Sequence, residues 1–482
     1  MHRHRVSPVQ KVDRSGGVVH GATVANIRAC AILRPLTSLI MAEDTWALRG
    51  DLLDFTGEPA WGELHPAELR WRPDHWLLIR GSRIESVQAE PPGPQWRRVD
   101  HAGRLILPGF IDTHVHCPQI DVLASYGTEL LDWLENHTFP AEARYADERV
   151  AQHGAERFVQ ALFQHGTTAA LAFSTVHEQA THALFDAAHR QGMRMVTGKV
   201  LMDRHVPLAV RDDVPQAHAA CRRLIDRWHG TGRCAYAVTP RFAPTSSEAQ
   251  LAMAADLIRE DPSLYLQTHV AENQDEVRWV RELFPDARSY LDVYAARGLL
   301  TRRTVLAHGI WLNGVDRAQL RDVGATIAHS PTSNLFLGSG LFDWKQAQEA
   351  GVRVAVASDV GGGTSLNLLR NVAAAYQVQA MLGQRLTAWS ALHAITLGAA
   401  QALDLDHELG RLEPGAAADI TVWDWAQDPA IAHRLSLARG LHERVFAWMT
   451  LGDERLLRSV LVAGQEKRMR LDGNTGNPDT IR

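Results

Sequence analysis

Cysteine is scarce in this chain: among 482 residues there are four, and they lie far apart. No two of them have the Cys-x-x-Cys spacing of a zinc ribbon, which argues against a cysteine-based metal site. Scattered cysteines are typical of proteins from a reducing compartment, so we expect a cytoplasmic protein. The four residues are Cys30, Cys117, Cys221 and Cys234.

The sequence also lacks an excess of positive charge and any long apolar run. Its net charge is −5 and its pI is about 6.6, so no general attraction for nucleic acid is expected. No segment approaches the roughly 20 consecutive apolar residues of a membrane helix. We therefore expect neither a nucleic-acid partner nor a membrane partner. What is present is an ordinary globular composition, 45% hydrophobic and 22% charged, long enough for one large domain or two.

The two ends of the chain differ in character from its middle. Residues 1–42 carry many arginines and few acids, and we predict a basic, disordered N-terminal extension, or upstream sequence that precedes a start at Met41. Segments 43–104 and 412–470 contain short apolar stretches bounded by Gly, Pro and charged turns, which are typical of strands. We predict that they form one small β-sandwich domain, followed by a C-terminal tail at 471–482.

Residues 105–411 alternate apolar strands with helical stretches. Eight strand-helix units predict an α/β fold of the (β/α)8 TIM-type barrel in preference to an open sheet. In such barrels the residues that carry chemistry lie at the C-terminal ends of the strands. The predicted strands are 105–113, 168–173, 194–200, 235–239, 264–268, 304–307, 325–328 and 352–357.

Polar side chains follow the predicted strands at those ends. His114 and His116 end the first strand, where alternate side chains share a face and can offer two imidazoles to one metal ion. In a chain with 24 histidines one such pair can arise by chance. Later strands end in His269, His308 and Asp359. Because an unpaired buried polar group costs about 2–7 kcal/mol, this repetition favours a metal site over packing.

The order of these residues along the chain resembles the amidohydrolase superfamily, in its mononuclear deaminase branch. Further segments resemble those of the guanine deaminases, and the likeness extends from about Ala47 to Val462. One departure is Cys117, where the family pattern predicts a larger residue. The segments that carry the resemblance are 48–51, 119, 126–127, 130–134, 138–142, 198–203, 239–242, 331–335 and 359–365.

The resemblance implies one divalent metal ion, with four ligands from this chain. Imidazole and carboxylate ligands suit zinc, our first expectation, and they suit Fe²⁺ as well. Such an ion lowers the pKa of a water molecule towards about 7. Asp359 also receives a catalytic role, as acceptor of a hydrogen bond from this water. The implied ligands are His114, His116, His269 and Asp359.

Glu272, three residues after His269, is the catalytic proton shuttle by the same resemblance: it takes a proton from the water and delivers it to a ring nitrogen and then to ammonia. The competing interpretation is a helix N-terminal carboxylate, since 273–276 is typical of a helix start. His308 is expected beside the water as a hydrogen-bonding, charge-stabilising group that also faces the substrate. The alternative is that His308 is a structural barrel residue whose hydrogen bonds are all made to its neighbours.

Four further residues are predicted to bind the substrate. The donor fork of Arg241 suits a purine carbonyl, and Phe242 offers a ring that can stack on a flat base. Their alternatives are a surface ion pair and a packed ring. By resemblance, Gln119 and Trp133 complete the pocket. Plain packing is the alternative for Trp133, because the chain has 14 tryptophans.

The resemblance implies hydrolytic deamination of guanine at C2 to xanthine and ammonia, by a homodimer. The runner-up is a deaminase of another heterocycle, such as 8-oxoguanine, a triazine or an adenosine derivative, with segment 239–242 as the discriminating feature. A protein of a different class would be a non-catalytic scaffold, but such proteins usually lose a ligand or the acid, and neither is missing here. The small zinc deaminases with a Pro-Cys-x-x-Cys signature are excluded by the cysteine spacing.

Overall fold

The computed structural model describes residues 45–127 and 129–469. The predicted extension at 1–42 and the predicted tail at 471–482 lie outside the described residues. Within the described part of the chain the long strand paths form two sheets, one from its ends and one from its middle.

The first sheet, called the end sheet below, joins the two ends of the described chain. Its strands are β1 (Thr45–Phe55), β2 (Leu69–Arg80), β3 (Arg83–Gln88), β4 (Arg97–Pro108), β14 (Ile420–Trp423), β15 (Leu457–Val462) and β16 (Gln465–Met469). They are hydrogen-bonded in the order β16-β15-β14-β4-β1-β2-β3. Strand β4 connects the two groups because it pairs with β1 in parallel and with β14 antiparallel. The prediction that the two chain ends form a sheet separate from the barrel is therefore confirmed, and the strands form one continuous sheet.

The second sheet is a nearly closed barrel of eight parallel strands, which confirms the predicted fold class. In chain order the strands are β5 (Phe110–His116), β6 (Thr167–Phe173), β7 (Arg194–Gly198), β8 (Val200–Leu201), β9 (Cys234–Pro240), β10 (Tyr265–Val270), β11 (Thr304–His308), β12 (Thr326–His329) and β13 (Arg353–Val356), of which β8 is a short addition paired with β9. Asp359 N donates to His114 O and His116 N donates to Val360 O, each over 2.9 Å. These two bonds join the segment after β13 to β5 and so close the barrel at its C-terminal end.

Two predicted strands have wrong bounds. The stretch predicted as one strand at 105–113 is the end of β4 and the start of β5, with Gly109 between them. Gly109 N donates to Asp419 O in the end sheet, and a Cβ at this glycine would come within 2.1 Å of the Thr168 hydroxyl. The chain therefore passes from one sheet to the other at Pro108-Gly109, where only glycine fits. The stretch predicted at 194–200 is divided between β7 and β8.

Helices alternate with the barrel strands, as predicted for this part of the chain. The α-helices are α1 (Leu130–Trp133), α2 (Phe139–Ala143), α3 (Glu148–Gln164), α4 (Glu178–Arg190), α5 (Val214–Trp228), α6 (Glu248–Glu260), α7 (Gln274–Leu283), α8 (Tyr290–Ala295), α9 (Gly314–Val323), α10 (Pro331–Phe336), α11 (Trp344–Glu349), α12 (Leu368–Met381), α13 (Ala388–His393), α14 (Leu397–Ala402), α15 (Pro429–Ser436) and α16 (Leu441–Leu451). A π-helical turn spans Leu134–Thr138, and short 3-10 helices span Cys117–Val122, Arg144–Ala146, Leu208–Val210, Ala243–Thr245 and Glu454–Leu456.

The main core lies between the barrel and its helices. Helix α3 illustrates the cause: Phe158, Leu162 and Phe163 recur at helical spacing and are fully buried. Burying each such side chain stabilises the fold by about 1.5–3 kcal/mol. Among the described residues, every helix is too short or too polar to cross a membrane.

Candidate active site

Four side chains meet at the C-terminal end of the barrel, and we call His114, His116, His269 and Asp359 the ligand cluster. One ligand atom from each lies within 4.8 Å of the others, and all four side chains are buried. His116 Nε2 is 3.3 Å from both His114 Nε2 and His269 Nε2, and Asp359 Oδ1 is 2.9 Å from His114 Nε2. The residues come from β5, from β10 and from the segment after β13, so barrel closure brings them together.

The ligand cluster fits one divalent metal ion. Ligands about 2.0–2.1 Å from a tetrahedrally coordinated ion lie about 3.3 Å from one another, and this is the separation of the imidazole nitrogens. His269 Nδ1 lies 2.7 Å from Arg241 O, an arrangement in which it donates its proton and leaves the Nε2 lone pair facing the cluster. Three imidazoles and one carboxylate are a donor set suited to such an ion.

The electrostatics of the cluster favour the protonation states that metal binding requires. Burial lowers the pKa of His116 to about 3, and burial together with the neighbouring histidines lowers the pKa of His269 well below its usual value. Burial alone would raise the pKa of Asp359, but the interactions with His114 and His116 outweigh it and hold this pKa well below the usual range. At neutral pH His116 and His269 are therefore neutral and Asp359 is a carboxylate.

Asp112 is a buried carboxylate that sequence reasoning missed, and it orients the backbone that carries the ligand cluster. It accepts hydrogen bonds from His114 N over 3.3 Å and Ser358 N over 3.0 Å, and also from the Ser358 hydroxyl. Burial raises the pKa of Asp112 to about 6. These bonds tie β5 to the segment that carries Asp359, so the ligands from the first and last strands keep a common position.

The backbone at the strand ends adopts the left-handed region at three non-glycine residues. Their φ angles are 47° at Ala271, 69° at His308 and 48° at Asp359. Each such conformation costs about 1–3 kcal/mol and is found most often at functional sites. The turn at Ala271 redirects the chain immediately before Glu272, as expected for a residue on the loop after the fifth barrel strand.

Glu272 lies in the pocket beside the ligand cluster. Its Oε1 accepts a hydrogen bond from the Ser339 hydroxyl over 3.0 Å, and its Oε2 is 3.3 Å from His308 Nε2. Burial, and then the charge of Asp359, raise the pKa of Glu272 to about 8. The carboxyl group can therefore hold a proton at neutral pH.

The capping role considered for Glu272 belongs to its neighbours. The Asn273 side chain caps α7, and Glu276 completes this capping box. Glu276 Oε2 also accepts from the backbone N–H of Glu272 over 2.9 Å. The side chain of Glu272 is thus left to face the pocket, while its backbone is held by the cap.

His308 is oriented from outside the pocket by Asn334, another residue that sequence reasoning did not single out. His308 Nδ1 is 2.8 Å from Asn334 Oδ1, so Nδ1 carries the proton of this hydrogen bond. Its Nε2 points towards two carboxylates, 3.3 Å from Glu272 Oε2 and 3.6 Å from Asp359 Oδ2. His308 therefore stands between the ligand cluster and Glu272.

A cavity lies over these groups, and its lining contains both polar and apolar side chains. The lining includes all five residues predicted to bind the substrate: Gln119, Trp133, Arg241, Phe242 and His308. It also includes three leucines that sequence reasoning missed: Leu130, Leu134 and Leu337.

The sequence pattern of the amidohydrolase family matches residues 105–467, about three quarters of the chain. The chain belongs to the amidohydrolase family. It is therefore a hydrolase that acts on a carbon–nitrogen bond.

Among relatives in this family, guanine deaminase from Escherichia coli strain K12 is 42% identical over 424 residues, which cover 87% of this chain and 97% of the relative. The solved structure of E. coli guanine deaminase matches with a TM-score of 0.84 at 40% identity, over 89% of this chain and 99% of that one. The structure of guanine deaminase from C. acetobutylicum, with guanine bound in the active site, matches with a TM-score of 0.80 at 25% identity, over 88% and 99% of the two chains.

Beside the ligand cluster, Gln119, Trp133, Arg241 and Phe242 form what we call the recognition wall. Arg241 is 2% exposed and its Nη1 donates to both carboxylate oxygens of Glu142, over 2.8 and 2.9 Å. The ion pair considered for Arg241 therefore exists, but it is buried and not at the surface. Glu142 lies in segment 138–142, which resembles the guanine deaminases, yet nothing in the local pattern assigned it to the site.

The two aromatic residues of the recognition wall are both buried and both line the cavity. Phe242 has an edge-on ring contact with Trp279 at 6.4 Å. Trp133 has an indole N–H that finds no hydrogen-bond partner among the described residues. A Cβ at Gly127 would come within 2.6 Å of Trp133 Cδ1, so a glycine is needed where the preceding chain crosses this ring.

Proposed function

We propose that this protein is a guanine deaminase, which hydrolyses guanine at C2 to xanthine and ammonia. The observation that carries the proposal is the convergence of the ligand cluster and Glu272 on one cavity walled by Arg241 and Phe242. The similarity to the guanine deaminases of E. coli and C. acetobutylicum supports the choice of substrate. In the reaction the C2–N bond breaks, a C2–O bond forms, and the protons of water pass to the ring and to ammonia.

His114, His116, His269 and Asp359 would hold one divalent ion, and we propose Zn²⁺. The donor set suits zinc, and Fe²⁺ is the other candidate. When bound, the ion supplies Lewis acidity that makes hydroxide available near neutral pH. The second proposed role of Asp359 is to accept a hydrogen bond from the attacking water, for which Oδ2 lies on the His308 side of the cluster.

Glu272 would move the protons of the reaction. Its carboxylate accepts a proton from the attacking water, and the raised pKa of about 8 makes it able to retain that proton at neutral pH. It then delivers the proton to a ring nitrogen and later to the departing ammonia. The Ser339 hydroxyl holds Oε1 and leaves Oε2 for the transfer. His308, with Nε2 close to both carboxylates, would stabilise the charge that develops near C2.

The recognition wall would hold the purine. Arg241 Nη1 is engaged with Glu142, so the other N–H groups of the guanidinium are available to a ligand carbonyl. Phe242 would stack on the base, and Gln119 and Trp133 would complete the contacts around the ring. The leucines of the cavity exclude water from the faces of the ring.

The test is turnover of guanine by the pure protein, followed as loss of the guanine absorbance band. We expect turnover that a chelator abolishes and zinc restores. Ammonia release from 8-oxoguanine, a triazine or an adenosine derivative, with no turnover of guanine, would contradict the proposed substrate. A protein that stays inactive on all of these after zinc is restored would favour a scaffold.

Three further expectations accompany the proposal: a homodimer, a cytoplasmic location and no nucleic-acid partner. The scattered cysteines support the cytoplasmic location, and the negative net charge supports the absence of a nucleic-acid partner. Light scattering of the pure protein tests the oligomeric state, and a gel-shift assay with random-sequence DNA and RNA tests the absence of a nucleic-acid partner.

A further inference from the structure

Glu142 is a fully buried carboxylate behind the cavity, and it contacts two members of the recognition wall. Its Oε1 accepts hydrogen bonds from Gln119 Nε2 over 3.1 Å and from Arg241 Nη1 over 2.8 Å. Its Oε2 accepts from Arg241 Nη1 over 2.9 Å. Both partners line the cavity, whereas Glu142 does not. Glu142 can therefore act on a bound ligand only through these two side chains.

Glu142 and the backbone of Gly361 together decide which way the Gln119 amide faces. Gln119 Nε2 donates to the carboxylate, and Gln119 Oε1 accepts from the backbone N–H of Gly361 over 3.2 Å. A rotation of the amide by 180° would place its oxygen against the carboxylate and its NH₂ against an N–H donor. The carbonyl oxygen of Gln119 is thus kept out of ligand recognition, and the second N–H of Nε2 is left as the group it can offer.

The same carboxylate orders Arg241. A buried guanidinium without an anionic partner would be strongly destabilising, so the ion pair with Glu142 keeps Arg241 at the wall of the cavity. Its contact with Phe139, whose ring centre lies 5.5 Å from the guanidinium carbon, restricts it further. Arginine has donors and no acceptors. With Glu142 in place, Gln119 and Arg241 therefore both present donors to the ligand.

A pair of donors distinguishes one purine edge from another. Guanine presents two neighbouring acceptors, O6 and N7, whereas a 6-aminopurine presents an NH₂ donor beside N7. A site that offers two donors leaves a donor unpaired against a 6-amino group, and such mismatches give strong discrimination between substrates. The 2-amino group that is removed in deamination can be present in both kinds of purine.

We propose that Glu142 is a positioning residue that sets the substrate specificity of this site: by holding Gln119 and Arg241 as paired donors, it selects purines with an oxygen at C6 over purines with an amino group there. The inference rests on the proposed deaminase function and adds to it the residue that decides between 6-oxo and 6-amino rings. Without the carboxylate, only the Gly361 N–H holds the Gln119 amide in place, and the amide can then turn and offer its oxygen as an acceptor.

The experiment compares guanine with 2,6-diaminopurine, which carries the same 2-amino group and an amino group at C6, in the zinc-loaded protein and in Glu142→Gln. We expect the wild type to prefer guanine strongly in kcat/KM. In Glu142→Gln we expect KM for guanine to rise at least about tenfold and the preference for guanine over 2,6-diaminopurine to fall by at least about tenfold. Metal content should be unchanged, because Glu142 lies behind the recognition wall and is not one of the ligands.

Glu408→Gln is the matched control. Glu408 also accepts from two arginines, Arg194 and Arg233, and its side chain is 12% exposed, but it does not line the cavity. This variant tests for a general effect of breaking a buried ion pair, and we expect it to leave the ratio of the two substrates unchanged. If Glu142→Gln lowers kcat/KM for both substrates by the same factor, Glu142 is a structural residue and the proposal is overturned.

If Glu142→Gln does not yield folded protein, Glu142→Asp replaces it, since this variant keeps the charge and withdraws the carboxylate by one methylene. The substrate ratio should then fall by a smaller factor in the same direction, and an unchanged ratio would overturn the proposal. Wild type that turns over neither purine, but deaminates another heterocycle, would contradict the proposed function itself. The two failures are distinguishable, because one appears in the wild type and the other in the variants.

Discussion

The ligand cluster and the recognition wall face the same cavity, but they are held in different ways. The ligand cluster is carried by ends of barrel strands, and backbone hydrogen bonds between β5 and the segment after β13 hold its members together. In the recognition wall, Gln119 and Arg241 share one side-chain partner, Glu142, which is 23 and 99 residues away from them in sequence.

We therefore expect substitutions in the ligand cluster and in the recognition wall to have different effects. Strand ends in a closed barrel are positioned by the whole fold, so the metal site should tolerate changes in the recognition wall. The recognition wall rests on local polar contacts, so single substitutions there should alter substrate preference while the metal stays bound. The predictions below test this separation, beginning with the largest effect.

Removing a ligand should have the largest effect. In His269→Ala one of the imidazoles is lost, and we expect the metal content to fall and guanine turnover to decrease at least about 10³-fold, because hydroxide is no longer available near neutral pH. Metal analysis and the absorbance assay measure both. The control is His393→Ala, which truncates a buried histidine that contacts Phe55 elsewhere in the fold. Full metal content and activity in His269→Ala would show that His269 is not a metal ligand.

Removing the proton shuttle should leave the metal in place and stop the chemistry. For Glu272→Gln we expect kcat to fall about 10²- to 10⁴-fold with unchanged metal content. The neighbouring variant Glu276→Gln is the matched comparison, since Glu276 is equally buried but does not line the cavity. We expect it to lower kcat much less. Equal losses in the two variants would indicate that Glu272 acts through the cap of α7 and not on the substrate.

In the part of the chain that the structure describes, Glu272 and Glu276 have no arginine partner of the kind that Glu142 has in Arg241. This difference should appear in the pH dependence of stability. Burial, and then the charge of Glu272, raise the pKa of Glu276 to about 7 from an ordinary value of 4.5. Its contribution to stability is therefore fully present below about pH 4.5 and is lost as the pH rises through about 7. For the chelator-treated protein we expect the free energy of unfolding to fall over this window, by on the order of 1–3 kcal/mol.

Urea unfolding at a series of pH values measures this slope. Glu276→Gln should flatten it, while the share that comes from Glu272, with its pKa of about 8, persists to higher pH. A slope that is the same in the variant and the wild type would show that Glu276 is already ionised in the folded protein.

The smallest effect is expected from an aromatic residue of the recognition wall. Phe242→Leu keeps an apolar side chain but removes the ring, and the loss of about 0.5–1.5 kcal/mol of stacking corresponds to a roughly two- to tenfold rise in KM for guanine with little change in kcat. Phe185 is buried and its ring stacks on Trp228 outside the cavity. Phe185→Leu therefore controls for the general effect of losing a packed ring. An unchanged KM in Phe242→Leu would mean that this ring only packs.

Much of the fold could be predicted from the sequence because its signals are local. Apolar runs of strand length that alternate with amphipathic helices indicate a barrel, and His114, His116, His269 and Asp359 follow such runs directly. The failures concern partners that are distant in sequence. The contacts that fix the crossing at Gly109 come from Thr168 and Asp419, which lie far from residue 109 in the sequence.

By itself, then, the sequence determined the alternation of strands and helices and the residues that end the barrel strands, because hydrophobic periodicity is a property of neighbouring positions. Only the tertiary structure decided which of the many polar residues face one another. Glu142 is the clearest case, because it lies in a short helix whose sequence gives no sign of a role. It contacts Gln119 and Arg241 only because the barrel brings three separate segments together. Buried polar groups must find partners, and the fold supplies those partners without regard to sequence distance.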